Sequence, residues 1–252
     1  MRLVAIVLTY NEAHNIRSCL DALAFADERI IFDSFSPDGT AEIAKTHGAR
    51  VVQRSFEDYA TQRNAALKEV EGKADWVLFI DADERVSPEL AAEICGVLDD
   101  ERYAAWQLPR HNYIFGRLTL KAGWYPDYQT RLLRVGRTHY DPDRWVHETV
   151  IVDGERGTLQ TPLIHYNYRD LAHFHQKQRR YAAYDAQILF EQSFKPKPHN
   201  YILQPLRQFR WRFITLQGYQ EGWHGFLLSV LMAWYEWRKL RLLKRLWQTE
   251  RR

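Results

Sequence analysis

The sequence predicts an α/β fold in which a mostly parallel, Rossmann-like sheet is flanked by helices, and three observations point to it. Short apolar runs alternate with segments of helical period along residues 1–100. The first run, residues 3–8, is apolar throughout, as expected of a strand buried on both faces. Polar breaks rich in Gly, Asn and Asp separate the runs. This rhythm is typical of a parallel sheet with helices on both sides.

The predicted elements of this half follow in chain order. After the first strand, Asn11 begins a helix that places Ile16, Leu20 and Leu23 on one face. Pro88 suits the first turn of the last helix of this half. The remaining strands are predicted over 29–32, 50–53 and 76–80, and the remaining helices over 40–46, 59–69 and 88–98.

The pattern changes at residue 104, which predicts a mixed region added to the parallel half. Gly, Pro and Asp clusters separate its strand-like pieces, which are predicted over 104–108, 130–134, 146–152 and 163–168. Helices over 173–190 and 223–247 follow, with a Pro-containing break at 195–198. We therefore predict an α/β domain over 1–170, with halves 1–100 and 101–170, and a helical extension over 171–252.

The charge of the chain is unevenly distributed. Residues 200–252 contain ten Lys and Arg against three Asp and Glu, whereas the whole chain has a net charge of +3. Trp and Leu at helical spacing, with arginines on another face, suit a helix lying on an anionic membrane surface. The alternative is that this apolar stripe packs on the protein's own core. No motif supports nucleic-acid binding.

Other features of the sequence favour a cytoplasmic protein that is at most peripheral to a membrane. The longest apolar stretch, 226–235, is about half of the ~20 residues needed to span a bilayer. The first apolar run passes directly into polar residues, which predicts a strand and not a signal peptide. Cys19 and Cys95 lack a nearby Cys partner and are expected to be two buried thiols in a reducing compartment.

Three polar loops follow predicted strands directly, at 9–12, 33–39 and 81–84. Ligands of such sheets bind beyond the carboxyl ends of the strands, so these loops are expected to share one crevice. The sequence lacks both the dinucleotide fingerprint and the P-loop motif. A divalent metal, Mg²⁺ or Mn²⁺, held by Asp81 and Asp83 is therefore the expected means of binding a diphosphate.

Four motifs in order carry a resemblance to a known family. They are VLTYNE at 7–12, DSFSPDGT at 33–40, QRN at 62–64 and LFIDADE at 78–84. Together they resemble glycosyltransferase family 2, whose members have the GT-A (nucleotide-diphospho-sugar transferase) fold, and the resemblance covers residues 1 to about 170. The stretches GWYPD at 123–127, RLLR at 131–134, VHE at 146–148 and HYNYR at 165–169 are similar to the branch that adds a sugar, typically glucose, to heptose of the lipopolysaccharide inner core.

The resemblance implies roles for individual residues. Asp83 would be the principal metal ligand, with Asp81 near the metal or the ribose. Tyr10 and Thr9 would pack on the nucleobase, and Asp33 would accept a hydrogen bond from it. The implied nucleotide-sugar site comprises Thr9, Tyr10, Glu12, Asp33, Arg63, Asp81 and Ala82. The family more often has Gly or Asn where this chain has Phe35, which leaves the geometry of that loop open.

Inversion at the sugar carbon requires a base that takes the proton of the acceptor hydroxyl. Glu148, which follows Trp145 and His147, is the first candidate, because a carboxylate close to apolar rings can have a raised pKa. Asp127 is the alternative base, and a structural ion pair of Glu148 with Arg144 or Arg131 is a third interpretation. The candidate acceptor or phosphate contacts are Trp124, Arg131, His147 and His165.

The expected function is transfer of a hexose, glucose from UDP-glucose in the first instance, onto a sugar hydroxyl of a lipid-linked acceptor. The resemblance implies that this acceptor is heptose of the lipopolysaccharide inner core, on the cytoplasmic face of the inner membrane of a Gram-negative bacterium. Two alternatives stay open: transfer onto polyprenyl phosphate, and a catalytically inactive nucleotide-binding relative.

Overall fold

The computed structural model describes residues 1–141 and 149–250. Its strands are β1 (Leu3–Thr9), β2 (Glu28–Asp33), β3 (Arg50–Gln53), β4 (Trp76–Asp81), β5 (Glu84–Arg85), β6 (Tyr103–Ile114), β7 (Arg117–Leu118), β8 (Tyr128–Arg134), β9 (Thr138–Tyr140), β10 (Val150–Val152), β11 (Glu155–Thr158) and β12 (Leu163–Tyr168). Its α-helices are α1 (Ile16–Asp21), α2 (Thr40–Thr46), α3 (Tyr59–Glu69), α4 (Pro88–Val97), α5 (Leu171–Glu191), α6 (Asn200–Arg210) and α7 (Trp223–Glu250). A π-helical turn (Trp211–Thr215) and a 3₁₀ turn (Gly218–Glu221) connect the last two helices.

The predicted parallel half is confirmed. Strands β3, β2, β1 and β4 lie side by side in that order, and every neighbouring pair is parallel. β1 explains the continuous apolar run, because its alternate residues enter different cores. Leu3, Ala5 and Val7 belong to one apolar cluster, and Val4 and Ile6 belong to the other.

The mixed second half is also confirmed. β8 pairs antiparallel with both β4 and β6, so the sheet changes direction next to β4. The path of the sheet continues from β6 through β12 to the two-residue strand β5. Part of the strand predicted over 146–152 falls outside the described residues, and β10 accounts for its last three positions.

Side-chain caps explain where two predicted helices begin. The Asp58 carboxylate accepts a hydrogen bond of 2.8 Å from the amide of Thr61 at the start of α3. Ser87 accepts one from the amide of Leu90 at 3.2 Å, and Pro88 occupies the first turn of α4. Both arrangements satisfy amides that have no partner within the helix.

The chain forms two compact units: residues 1–110 with 127–165, and residues 111–126 with 166 onward. The second unit contains α5, α6 and α7, with Phe174, Tyr168 and Leu228 buried in its core. α7 packs against α5 and α6 and buries Tyr235, Leu240 and Leu243. The apolar stripe of α7 is therefore in part a packing surface. The domain boundary at residue 170 stays a prediction.

The two thiols differ in exposure, so the expectation of two buried thiols is wrong for one of them. Cys19 on α1 is buried, whereas Cys95 on α4 is exposed because it lies on the side of the helix away from Leu90 and Ile94. Burial raises the pKa of the Cys19 thiol to about 12. Among the described residues, no helix is both long and apolar enough to cross a membrane.

Candidate active site

The carboxyl ends of three parallel strands meet at one edge of the sheet. Thr9 lies opposite Asp33 in the β1–β2 register, and Leu8 lies opposite Asp81 in the β1–β4 register. The loops that follow these strands are the three polar loops identified in the sequence. Their predicted convergence is confirmed.

Asp33 organises the turn that follows β2. Its side chain is fully buried and accepts hydrogen bonds from the Thr9 hydroxyl at 3.0 Å, the Ser36 hydroxyl at 2.5 Å and the Ser36 amide at 2.9 Å. These bonds hold the loop after β2 against the end of β1. The predicted contact of Asp33 with a nucleobase stays a prediction.

The loop after β2 also fixes the loop after β1. The amides of Asn11, Glu12 and Ala13 donate to side chains of that loop, at 2.9 Å to Ser36 Oγ, 2.9 Å to Thr40 Oγ1 and 3.0 Å to Asp38 Oδ2. These contacts leave the Tyr10 side chain exposed at the edge of the sheet. An exposed ring on a fixed backbone is suited to stack on a base.

Phe35, in the loop after β2, has a left-handed backbone conformation. Its φ is 59°, in the left-handed region that a residue with a Cβ rarely adopts. This loop therefore holds a phenylalanine in a conformation that Gly or Asn adopts more readily, with the Phe35 side chain exposed.

The acidic motif spans the end of β4 and the start of β5. Asp81 is the last residue of β4, Ala82 is buried, Asp83 is partly exposed, and Glu84 begins β5 with its side chain fully buried. A buried carboxylate requires compensating charges and hydrogen bonds, since an isolated charge is costly in the protein interior.

Asp81 is bound by two arginines. Arg131, on β8, donates from both terminal nitrogens to the two Asp81 oxygens, with a distance of 3.3 Å from Nη1 to Oδ1. Arg63, on α3, places its Nη2 3.5 Å from Asp81 Oδ1. The Arg63 guanidinium lies over the rings of Phe79 and Tyr140, at 5.0 and 5.5 Å from their centroids, which fixes its position.

Glu84 extends these contacts to a third arginine. Its Oε1 accepts from Arg131 Nη2 at 2.9 Å and from Arg110 Nη1 at 3.2 Å, while its Oε2 accepts from the Asp81 amide at 2.8 Å. Arg110 in turn donates to Asp127 Oδ2 from Nε at 2.9 Å and from Nη2 at 2.6 Å. We call this alternating series the charge ladder, and its members are Arg63, Asp81, Arg131, Glu84, Arg110 and Asp127.

The charge ladder keeps Asp81 ionised. Burial by itself would raise the pKa of the Asp81 carboxyl, but the guanidinium of Arg131, followed by those of Arg63 and Arg110, holds this pKa well below its usual range. Burial likewise opposes the charge of Arg131, and the carboxylates of Asp81 and Glu84 raise the pKa of its guanidinium. These side chains therefore present fixed charges at the edge of the sheet.

The sequence profile of glycosyl transferase family 2 matches residues 4–163, which include every member of the charge ladder. The chain belongs to this family. Its mixed sheet, flanked by helices and followed by a C-terminal helix, is the GT-A fold that the sequence predicted.

Similar family members span almost the whole chain. The lipopolysaccharide core biosynthesis glycosyltransferase LpsC of Rhizobium meliloti (strain 1021) is 27% identical over 253 residues, which cover 92% of this chain and 90% of the relative. An uncharacterized glycosyltransferase of Rickettsia bellii (strain RML369-C) is 28% identical and covers 97% of this chain and 87% of the relative.

A solved structure of glucosyl-3-phosphoglycerate synthase from Mycobacterium tuberculosis, in complex with Mn²⁺, UDP and glucosyl-3-phosphoglycerate, is also similar. It is 25% identical over 44% of each chain, with a TM-score of 0.37. This overlap is too limited to infer the ligands of the present chain from those of the synthase.

A metal in this glycosyltransferase would find its best protein ligands at Asp83 and His165. Asp83 Oδ2 lies 3.5 Å from His165 Nε2, and His165 is buried on β12, which pairs with β5. Among residues 1–141 and 149–250, no three acidic, His or Cys side chains form a metal-binding group. A carboxylate and an imidazole fit a cation that takes its other ligands from phosphate and water.

Asp81 is less suited to bind a metal, since Arg131 occupies both of its oxygens. The metal roles of Asp81 and Asp83 stay predictions.

Of the two candidate bases, Asp127 lies within the described residues and Glu148 does not. Glu148, like His147, lies outside the described residues. Asp127 accepts two hydrogen bonds from Arg110, and its other oxygen accepts one from Gln129 Nε2 at 2.9 Å. These donors already contact both oxygens of Asp127, which leaves them less accessible to an acceptor hydroxyl.

Trp124 belongs to the second unit, where its carbonyl accepts from Asn112 Nδ2 at 2.8 Å and its ring lies 5.2 Å from the Arg212 guanidinium. Its predicted contact with an acceptor stays a prediction.

Glu84 and Arg110 are the ladder members that sequence reasoning missed as site residues. Glu84 was recognised only as part of the acidic motif, and Arg110 had no local signal. β6 runs through Arg110 to Ile114, well beyond the predicted end at residue 108. The contact between Arg110 and Glu84 joins residues that are 26 positions apart.

Proposed function

We propose that this family 2 glycosyltransferase is an inverting, metal-dependent enzyme that transfers glucose from UDP-glucose onto a heptose hydroxyl of the lipopolysaccharide inner core. The observation that carries the proposal is the acidic motif at the carboxyl edge of the sheet, where it meets the loops of Thr9 and Asp33. The name of the Rhizobium meliloti relative supports the acceptor class. We propose that the acceptor is lipid-linked and is modified at the cytoplasmic face of the inner membrane.

On the donor side, we propose that Tyr10 stacks on the nucleobase and that Thr9 and Asp33 shape the pocket around it. Arg63 places a positive charge 3.5 Å from the first motif carboxylate, behind the closer Arg131, and would attract the diphosphate. Asp81 holds Arg63 and Arg131 in place, while Glu12 and Ala82 line the same edge. Rigidly held charges need no reorganisation when the donor binds, which lowers the barrier to reaction.

We propose that Asp83, assisted by His165, holds Mg²⁺ or Mn²⁺ against the donor diphosphate. The metal would stabilise the negative charge that accumulates on the departing UDP. Asp83 meets this requirement better than Asp81, because the guanidinium of Arg131 already neutralises Asp81.

On the acceptor side, we propose that Glu148 is the general base. It would take the proton of the acceptor hydroxyl while that oxygen bonds to the anomeric carbon and the bond from this carbon to UDP breaks. Attack from the face opposite to UDP inverts the configuration. Asp127 is the weaker candidate, because Arg110 and Gln129 donate three hydrogen bonds to its carboxylate.

The donor assignment predicts that UDP-glucose raises the melting temperature of the protein only when Mn²⁺ or Mg²⁺ is present. A ligand that binds only the native state stabilises it by about 2.7 kcal/mol at a hundred times its Kd. Thermal unfolding should be measured with UDP-glucose, UDP-galactose, UDP-N-acetylglucosamine and GDP-mannose, each with metal or with EDTA. Equal shifts in EDTA would contradict a metal-dependent donor site, and a shift with GDP-mannose alone would contradict a uridine donor.

The base assignment predicts that Glu148→Gln lowers kcat by about a hundredfold or more while donor-induced thermal stabilisation is kept. Asp127→Asn is the matched variant, and its kcat should fall less, because Asp127 is already neutralised by Arg110. The opposite order would make Asp127 the base. Full activity of Glu148→Gln would favour a phosphate acceptor such as polyprenyl phosphate, which needs no strong base.

A further inference from the structure

The outward face of α6 is unusually apolar. α6 contains no buried residue, and its exposed side chains continue into the π-helical turn. Ile202 is 65% exposed, Leu203 50% and Leu206 59%. We call this surface the α6 face, and its members are Ile202, Leu203, Leu206, Arg207, Arg210, Trp211 and Ile214.

The helical period shows that α6 turns its apolar residues towards solvent and its glutamines towards the protein, the reverse of an ordinary surface helix. At about 100° per residue, the members of the α6 face fall on one half of the helix. The opposite half contains Gln204 and Gln208, both only partly exposed, and Phe209, whose ring packs against those of Phe213 and Phe226. A helix of a soluble protein normally shows its glutamines to water and buries its leucines.

Positive charge lies within the same face. Arg207 and Arg210 are exposed between the aliphatic side chains. Residues 195–220 contain five Lys and Arg and no Asp or Glu. Trp211, Tyr219 and Trp223, near the end of α6, are also exposed. Aliphatic residues, Trp, Tyr and arginines on one surface match the composition of helices that lie in a lipid–water interface.

This composition fits lipid better than a second copy of the chain. A symmetric contact between two copies would bring Arg207 and Arg210 of one chain towards those of the other, and residues 195–220 contain no Asp or Glu to pair with them. On a membrane, the stems of Arg207 and Arg210 can lie along the acyl chains while their guanidinium groups reach lipid phosphates. In this position the arginines contact lipid phosphates while the leucines contact acyl chains.

The same reasoning moves the expected membrane contact away from α7. Leu240 and Leu243 of that helix are buried. Trp247 donates a hydrogen bond to the Phe194 carbonyl at 2.9 Å, and its ring packs on Phe190. Leu240, Leu243 and Trp247 of α7 therefore contact the protein itself, whereas the apolar side chains of the α6 face contact solvent.

We propose that the α6 face binds the surface of an anionic phospholipid membrane, with Ile202, Leu203 and Leu206 inserted at the level of the headgroups. The biological reason rests on the proposed function, since a lipid-linked acceptor would be presented at such a surface. The binding itself depends on this surface alone and can be measured without catalysis.

The proposal is tested by cosedimentation of the full chain with vesicles of phosphatidylcholine, alone or mixed with phosphatidylglycerol. The wild type should bind the mixed vesicles and bind phosphatidylcholine weakly. Ile202→Ser with Leu206→Ser should weaken binding to both by more than tenfold. Arg207→Gln with Arg210→Gln should weaken binding to mixed vesicles by about thirtyfold, since each basic residue near an anionic surface contributes about a factor of five.

Lys244→Gln with Arg245→Gln is the matched control, because it removes two exposed charges from α7 instead. Its binding should stay within about threefold of wild type. Equal losses in the α6 and α7 charge variants would overturn the assignment to α6, as would unchanged binding of Ile202→Ser with Leu206→Ser. A wild-type dimer that the serine variant dissociates, without vesicle binding, would assign the face to a second copy.

Thermal stabilisation by UDP-glucose and metal, measured on the same proteins, separates this proposal from the proposed function. The α6 variants should keep the full donor-induced shift. If vesicle binding fails while the donor shift is normal, the membrane surface is wrong and the enzyme assignment stands. If the donor shift is absent while vesicle binding depends on α6, the enzyme assignment is wrong and the membrane surface stands.

Discussion

Replacing Asp83 with Ala should lower sugar transfer by about a hundredfold or more, because the diphosphate would lose the metal that stabilises its departure. The fold should be little affected, since Asp83 lies in the turn between β4 and β5 and is not one of the buried carboxylates. The measurements are initial rates of transfer from UDP-glucose and the melting temperature of each protein. The variant should also lose the metal dependence of its donor-induced thermal shift.

Asp99→Ala is a suitable control for the loss of one acidic side chain. The Asp99 side chain is 87% exposed, and its carboxylate lies 3.9 Å from the N-terminal amine. This variant should keep full activity and full metal dependence. His165→Ala should give an intermediate loss if the imidazole supplies a second ligand. Near-normal transfer by Asp83→Ala would refute the metal role of this residue.

The second large effect is expected at Glu84. Glu84→Ala removes the carboxylate that lies between the buried guanidinium group of Arg131 and the partly buried one of Arg110, and it also removes the acceptor of the Asp81 amide. Breaking a buried ion pair by removing one partner costs about 3–5 kcal/mol, because the remaining charge stays buried without compensation. Urea unfolding should show a loss of stability in this range, together with reduced transfer.

Glu57→Ala is the matched surface variant. Glu57 pairs with Arg54 at 3.3 Å, but the side chains are 65% and 40% exposed, so its removal should cost about 0–1 kcal/mol. Glu84→Gln should lie between the two, since the amide keeps one acceptor and the volume of the side chain. If Glu84→Ala is no less stable than Glu57→Ala, the charge ladder does not hold the motif in place.

The sequence alone was sufficient to predict those elements and loops whose determining interactions are local or periodic. The apolar run of β1, the start of α4 at Pro88, and the loops that follow β1, β2 and β4 all came from patterns spanning a few residues. The predicted start of the first helix at Asn11 is wrong, because Asn11 has a left-handed backbone and α1 begins at Ile16. Topology then required the loops to meet, because the carboxyl ends of adjacent parallel strands lie at one edge. The family motifs occupy these same loops.

Sequence patterns failed where an element contradicts the usual distribution of polar and apolar residues. α6 was not predicted, because it contains Pro205 and its apolar residues face outward instead of inward. The exposed position of Cys95 was missed for a related reason. A single residue in an apolar helix does not reveal which side of that helix packs on the sheet.

The sequence by itself determined the α/β rhythm, the family and the position of Asp81 and Asp83 at the end of a buried strand. Only the tertiary structure decided what surrounds these carboxylates. Arg131 lies 50 positions from Asp81, and Arg110 lies 26 positions from Glu84. No local propensity encodes such contacts. They arise because β8 pairs antiparallel with both β4 and β6, and because a buried carboxylate such as Glu84 is stable only where strand pairing brings arginines to it.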